Sequence, residues 1–452
     1  MVISYQSSAI TSQPEKYMSS MLELIEELWF LKRDIISDGF DQALYRLAEG
    51  LSGEMKIHKY PSGEQCWTWQ VPEKWACHEA YLETLDGHHL FDYGDHPLHV
   101  VSYSLPFEGI VNREELLNHL HTHPTLPDAI PFIFKYYERE WGLCATKELV
   151  ENLTDDEYRV LVRTTSEPGE LKVGEIVIPG ETEESFMLVA HLCHPAMAND
   201  DLTGVVVGLD VARTLLEKPR PYYTYRFLIL PETIGTLAYL SHHEDLIPGM
   251  VGGLFLEMLG NDSPHALQGS FQPHNQVDLC LVSALTGLDP DSYSAPYRTV
   301  INNDERQFNA PGVRVPMLSL SRVEPPSSPT RPYREYHSSL DTPAIVSQAR
   351  LEDSRQAVLG LIAAWERNQY VVNRFKGEVF CSRYGIWIDY RHNPEGHRRL
   401  FEIMERCDGE HTIAEIATQL DVSFQAVWEV VETLLQKDLV WLSRTPHKTT
   451  PR

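Results

Sequence analysis

The period of the hydrophobic positions changes several times along the chain. Met18, Met21, Leu22, Ile25 and Leu28 recur at helical spacing behind Ser12, Gln13, Pro14 and Glu15, a capping-box pattern with proline in the first turn. This predicts an amphipathic helix over about 14–33. From 55 to 107 the pattern shortens to alternating stretches such as 66–71 and 99–103, broken by Pro-Ser-Gly, Asp-Gly and Gly-Asp turns, which predicts a small β module. Between about 159 and 343, continuous apolar runs (186–190, 227–230, 254–256) alternate with helical spacing (Val205, Leu209, Ala212, Leu216). Strands apolar on both faces and separated by helices belong to a sheet covered on both sides. The expected fold class is α/β, a three-layer α/β/α sandwich closed by a helix over about 351–367.

The last 75 or so residues carry three short helical patterns, with Asp421, Val422 and Ser423 as a turn before the last and 439–442 as a strand behind it. This predicts a winged-helix domain. The expected organisation is an α/β/α domain over 1–54 and 131–372, an inserted β-rich domain over 55–130, and a winged-helix domain over 373–452. Glu429 and Glu432 on the last helix have the wrong sign for a groove reader, so this domain is expected to make protein contacts rather than bind DNA.

Charge narrows the partners. Lys and Arg total 38 against 65 Asp and Glu, a net charge of -27, which repels phosphate backbones and anionic membranes. No run approaches the ~20 apolar residues of a membrane span, and residues 1–13 do not resemble a signal peptide. The seven cysteines are scattered without a CxxC pair, which disfavours a disulfide framework. The expected compartment is the cytoplasm. The expected partner is a small peptide or amide substrate, with no membrane, nucleic acid disfavoured, and a homo-oligomer left open.

The chemistry gathers at strand ends. His191 follows 186–190 directly, Asp200 lies in the next turn before a helix, Glu232 follows 227–230, Glu257 follows 254–256, and His337 stands in Tyr336-His337-Ser338. Open α/β sheets place their sites at the carboxyl ends of strands. Two histidines and three carboxylates converging on one edge suit zinc, cobalt or manganese, with zinc favoured by the imidazoles.

The ordered series His191, Asn199-Asp200-Asp201-Leu202-Thr203-Gly204, Glu232-Thr233-Ile234-Gly235, Glu257, Asp304 to Phe308, Gly312 and His337 to Thr342 resembles the M28-type zinc aminopeptidases. Over nearly the whole chain the sequence is similar to the aminopeptidase-like branch with an inserted β module and a C-terminal winged helix (DUF4910/DUF2172-like). Cys193-His194-Pro195 and Asp304-Glu305-Arg306-Gln307 carry that closer likeness. The resemblance makes the α/β/α domain peptidase-like and implies one or two zinc ions per chain. It makes Asp200 the bridging ligand, with His191 and Glu257 completing one metal, His337 serving the other, and Glu232 the general base. It also implies a cis peptide between Asp200 and Asp201.

This chain departs from the M28 pattern at two places. Thr233 stands where the family has a second acidic residue, so one metal loses a carboxylate. Cys193 stands where an Asp orients the first histidine, and His194 follows it as a replacement ligand, a partner of the ligands, or a loop residue. Asp201, Thr233, Asp304, Arg306 and Tyr336 are further candidates beside the ligands or substrate. Arg306 is read as either a carboxylate clamp or one half of a structural ion pair. His119, His121 and His123 alternate as on a strand, but lack accompanying Cys or carboxylates and are read as a hydrogen-bonded loop. The expected function is amide hydrolysis, aminopeptidase-like, with metal-activated water and Glu232 as base. The alternatives are an amidase or deacetylase for a small biosynthetic intermediate, and a non-catalytic adaptor with a relic metal site.

Overall fold

The apolar runs become the middle of an eight-stranded mixed sheet. In the computed structural model, which describes residues 19–49, 51 and 54–447, the strand order is Met55–Pro61, Glu170–Ile178, Thr224–Leu230, Ser185–His191, Met250–Glu257, Met317–Arg322, His265–Gln268 and Tyr293–Ala295. The four strands from Thr224–Leu230 to Met317–Arg322 run parallel, so their carboxyl ends share one edge. The Ser185–His191 strand is buried at every residue, as expected of a strand covered on both faces.

Helices lie against both faces. Gly208 of Leu202–Glu217 packs on the Phe227 ring, where an added Cβ would lie 2.3 Å from a ring carbon, and Gly235 of Ile234–His242 packs on Leu230. Phe227 and Leu230 are three residues apart on one strand and so project to opposite faces. The helix Gln348–Arg367 packs beside Leu202–Glu217.

Three elements differ from expectation, one of them the alternating stretch 99–103, which holds the end of the short helical turn Pro97–His99 and isolated bridges at Val100 and Ser102 instead of a strand. The first helix spans Met21–Leu28, not 14–33, and residues 14–18 lie outside the described ones. Its reciprocal capping box is Ser20 with Glu23, and its end is set by Arg33, whose Nη1 donates to the Leu28 carbonyl and, at 2.9 Å, to that of Trp29. A side-chain cation on orphan C-terminal carbonyls replaces the next turn. The strand Met55–Pro61 lies in the main sheet, antiparallel to Glu170–Ile178. The separate four-stranded sheet consists of His89–Asp92, Lys74–Thr84, Glu157–Glu167 and Phe107–Asn112. Alternation marks a strand but does not name its neighbour.

At the C-terminal end, helices Pro394–Glu405, Ile413–Leu420 and Phe424–Gln436 accompany a sheet of Asp408–Thr412, Tyr370–Asn373 and Val440–Ser443. Thr412 caps the middle helix and also donates to Gln276 Oε1 at 2.9 Å, tying this unit to the helix Gln276–Leu288. All seven cysteines are buried and unpaired. Among the described residues, no helix is long and apolar enough to cross a membrane.

Candidate metal centre

Parallel strands bring their last residues side by side, and so the sheet delivers His191 and Glu257 together at the ends of Ser185–His191 and Met250–Glu257. Asp200 sits in the turn before Leu202–Glu217, Glu232 stands two residues beyond Thr224–Leu230, and His337 arrives from a loop. His194 Nε2 meets Glu232 Oε2 at 3.1 Å.

Asp200 is the centre of the cluster. Its Oδ1 lies 3.3 Å from His191 Nε2 and 3.4 Å from His194 Nδ1, and its Oδ2 lies 3.1 Å from His337 Nε2. Glu257 Oε1 is 3.3 Å from His191 Nε2. These close approaches to Asp200 lack hydrogen-bond geometry. Both Asp200 oxygens, His194 Nδ1, His337 Nε2 and Glu257 Oε2 are buried with no hydrogen-bond partner among the described residues. Orphaned buried acceptors cost of order 1–3 kcal/mol each, and so many in one place is unusual. Two donor sets share Asp200: His191, Asp200 and Glu257, and His194, Asp200 and His337; a third grouping, His191, Cys193, His194 and Glu232, lies beside them without Asp200. Imidazole nitrogens with carboxylate oxygens are the donors zinc takes, and a dication would engage the lone pairs that the protein leaves free. The residues fit such an ion.

Electrostatics agree with that fit. Burial alone would lower His191 and His194, yet Asp200, Cys193 and a nearby glutamate outweigh it and hold both well above the ordinary imidazole value. Burial pushes Glu257 up to about 7. Burial also acts to raise Glu232, but its hydrogen bond to His194 and the surrounding imidazoles reverse this and bring it to about 2. Without an ion, protons on the imidazoles supply the positive charge that the acids require.

The surrounding residues lock the ligand loops. Asp201 caps the helix through Gly204 N at 2.9 Å and takes Met258 N at 3.0 Å, which turns it away from the donor sets. The Asp200–Asp201 peptide is cis, as the resemblance implies. Asp304 accepts from Thr233 N at 2.8 Å and Thr236 Oγ1 at 2.6 Å, and Tyr336 stacks on His337 with centroids 3.9 Å apart. Thr233 belongs to neither donor set, and the second set is completed by His194. Cys193 Sγ contacts His191 Nδ1 at 3.8 Å and accepts from Glu232 N at 3.1 Å.

Three supporting residues escaped the sequence reading. Arg33, fully buried, donates to the carbonyls of Leu192, His194 and Met197 at 2.8–2.9 Å. Asp341 accepts from the amides of Asn199 at 2.7 Å and Asp200 at 3.0 Å, and Asn303 Nδ2 donates to Glu257. Asp341 and Asn303 lie within or beside quoted motifs, whereas nothing local marks Arg33. His119, His121 and His123 do not gather. His119 stacks on Trp141 at 4.0 Å and His123 Nδ1 accepts from Leu126 N at 3.0 Å.

A roof covers the centre from the side of the β module. Phe132 N donates to the His337 carbonyl at 2.8 Å, and its ring meets His194 and His337 edge-on at 4.9 and 5.4 Å.

Comparison with known proteins gives a consistent picture. The chain is 30% identical over 426 residues, 93% of its length and 95% of the relative's, to a Clostridium acetobutylicum protein described as "Putative polysaccharide biosynthesis protein with aminopeptidase-like domain". The crystal structure of a "putative peptidase" from Clostridium acetobutylicum superposes with a TM-score of 0.82 at 29% identity, covering 94% of this chain and 96% of that one. A zinc aminopeptidase from Bacillus subtilis shares the fold, with a TM-score of 0.59 at 14% identity over 76% of this chain and 93% of that one. A domain of unknown function, DUF4910, matches residues 22–368, and the chain belongs to that family.

Proposed function

We propose that the protein is a metal-dependent hydrolase of amide bonds, aminopeptidase-like in its chemistry, with zinc as the metal at one or two ions per chain. The observation that carries this reading is the pair of donor sets in which both Asp200 oxygens, His194 Nδ1, His337 Nε2 and Glu257 Oε2 have no hydrogen-bond partner among the described residues. His191 and Glu257 would hold one ion, His194 and His337 a second, and Asp200 would bridge them. Zinc bound there would polarise an amide carbonyl and lower the pKa of a water molecule. Glu232 is the base. Its Oε2 is engaged by His194 Nε2, and it lines the cavity beside the centre. It can therefore accept a proton and pass it to the leaving nitrogen. Asp304 fixes the turn that carries Glu232, and Asp341 fixes the turn that carries Asp200.

A second reading within the same chemistry is an amidase or deacetylase for a small biosynthetic intermediate. The 132–138 segment roofs the site, and the cavity it bounds has a volume of about 380 Å³, near the low end for small-molecule sites. The Clostridium relative, described as a "Putative polysaccharide biosynthesis protein", supports the same reading. In both readings the sheet domain is the hydrolytic layer of an α/β/α sandwich with an inserted β module, and the C-terminal unit is a winged helix used for protein contact.

Glu232→Gln is expected to lower kcat about 10²–10⁴-fold with zinc content unchanged by elemental analysis. Turnover is to be followed on aminoacyl anilides and on N-acetyl amines. Undiminished activity in that variant removes Glu232 as the base. A wild-type chain that binds no zinc after supplementation returns the adaptor reading.

A further inference from the structure

Arg306 lies on Glu305–Asn309 and shares the cavity wall with Glu232 and Thr233. Its Nε donates to the Asn303 carbonyl at 2.8 Å and its Nη2 to Thr233 Oγ1 at 3.2 Å. These two bonds use one edge of the guanidinium plane and fix its orientation. The Nη1 hydrogens and the second Nη2 hydrogen have no partner among the described residues, and no carboxylate there forms an ion pair with this side chain. The structural ion pair considered from the sequence is therefore absent among those residues. The other cation of the wall, Lys135, is neutralised by Glu138 at 3.6 Å and by Glu140. Arg306 is thus a half-buried, pre-oriented cation whose free edge presents two parallel N–H groups, a geometry that matches a carboxylate.

Aromatic rings form another part of the same wall. Phe134 stacks on Tyr136 with centroids 4.6 Å apart, and Trp69 meets Tyr137 at 6.1 Å. Trp69, Phe134 and Tyr137 remain exposed by about two-fifths to a half, so their surfaces are open to a ligand. Rings of this kind bind flat apolar surface and the C–H faces of sugars.

Resting on the hydrolase reading above, we infer that the amide substrate carries a carboxylate, held bidentately by the free edge of Arg306, and a ring that lies on the aromatic wall. Arg306 bonds to Thr233, the residue next to Glu232, so carboxylate and scissile amide belong to one small molecule. Acidic N-acyl sugars and N-acyl aromatic amino acids share this chemistry, and the test separates them.

The test uses the full zinc-loaded chain carrying Glu232→Gln, so that ligands are bound but not consumed, and calorimetry with two matched pairs. The pairs are N-acetylmuramate with N-acetylglucosamine, and N-acetylphenylalanine with N-acetylphenylalaninamide. In at least one pair the acid is expected to bind about 10- to 100-fold more tightly than its neutral partner, and that pair identifies the source. Adding Arg306→Gln is expected to erase the difference while leaving the neutral partner's Kd within about twofold. Adding Arg306→Lys, which keeps the charge but loses the fork, is expected to restore only part of it. Equal affinity of acid and neutral partner in both pairs, a preference that survives Arg306→Gln, or binding of none of the four overturns the proposal. Turnover by the chain with Glu232 intact judges the hydrolase reading separately. Acid preference without hydrolysis of any amide removes that reading and keeps the carboxylate site, while equal hydrolysis of acids and neutral amides does the reverse.

Discussion

Two buried polar clusters stand on the same sheet and are built in opposite ways. Around Glu175, Oε1 accepts from Tyr239 and from Arg226 Nη1, each at 2.7 Å, and Oε2 lies 2.8 Å from His58 Nε2. Both oxygens of that carboxylate are engaged by the chain. Around Asp200, three imidazoles approach within 3.4 Å and no hydrogen bond forms. Among the described residues, the first cluster leaves one buried atom, Arg226 Nε, without a partner and serves stability, whereas the second leaves five, both Asp200 oxygens among them, and is complete only with something added. Burial and charge alone do not separate a structural network from a binding centre, and the difference lies in which polar atoms have partners.

The sharpest test of this contrast is a pair of truncations measured by chemical denaturation with and without zinc. Glu175→Ala leaves the half-buried Arg226 and the buried Tyr239 hydroxyl without their acceptor and is expected to cost about 3 kcal/mol, equally in both conditions. Asp200→Ala is expected to abolish the stabilisation that zinc gives the wild type, about 2.7 kcal/mol at a hundredfold excess over Kd. If Glu175→Ala loses the zinc response, or Asp200→Ala retains it, the assignment of the two clusters is reversed.

Acid titration probes the Glu175 cluster once the share of Glu232, which is also brought to about 2, is held constant by comparing variants that keep it. Burial raises Glu175, but His58, Tyr239 and Arg226 more than compensate and bring it from 4.5 to about 2. A depressed carboxyl contributes stability that is fully present above its unfolded value and is lost as the pH falls from about 4.5 toward 2. Glu175→Gln should flatten that limb by on the order of 2–3 kcal/mol in denaturation midpoints collected across this range. An unchanged acid limb would place the dependence elsewhere.

The smallest effect concerns Cys193. A thiol 3.8 Å from His191 Nδ1 is a weaker orienting partner than a carboxylate. Cys193→Asp should therefore tighten zinc about tenfold in a competition titration with a chelator. Weaker binding would mean that the Glu232 amide, which bonds to the thiol, needs sulfur there.

Much of the site was legible because buried parallel strands are short apolar runs, and the residue after such a run lies at the sheet edge. His191, Glu232 and Glu257 follow from that pattern, and Asp200 from its turn before a helix. His337 is read from the sequence with the strand-end residues, but it lies in a loop, which no apolar run marks. His194 stayed open because neighbouring residues in a loop face different ways, and only its φ of 88° and the fold of 192–197 direct Nδ1 toward Asp200. The strand Met55–Pro61 was assigned to the β module because local alternation carries no record of a partner more than a hundred residues away. The first helix was drawn too long because its end depends on a side chain beyond its own period.

That side chain also sets a boundary. One guanidinium joins the carbonyls that end the first helix to three carbonyls of the loop carrying Cys193 and His194. A fragment that keeps this brace must begin before Arg33, although every donor atom comes from residue 191 onward. In a chain made from its amino end, the brace is synthesised long before the atoms it will hold, and the loop cannot settle until the two meet.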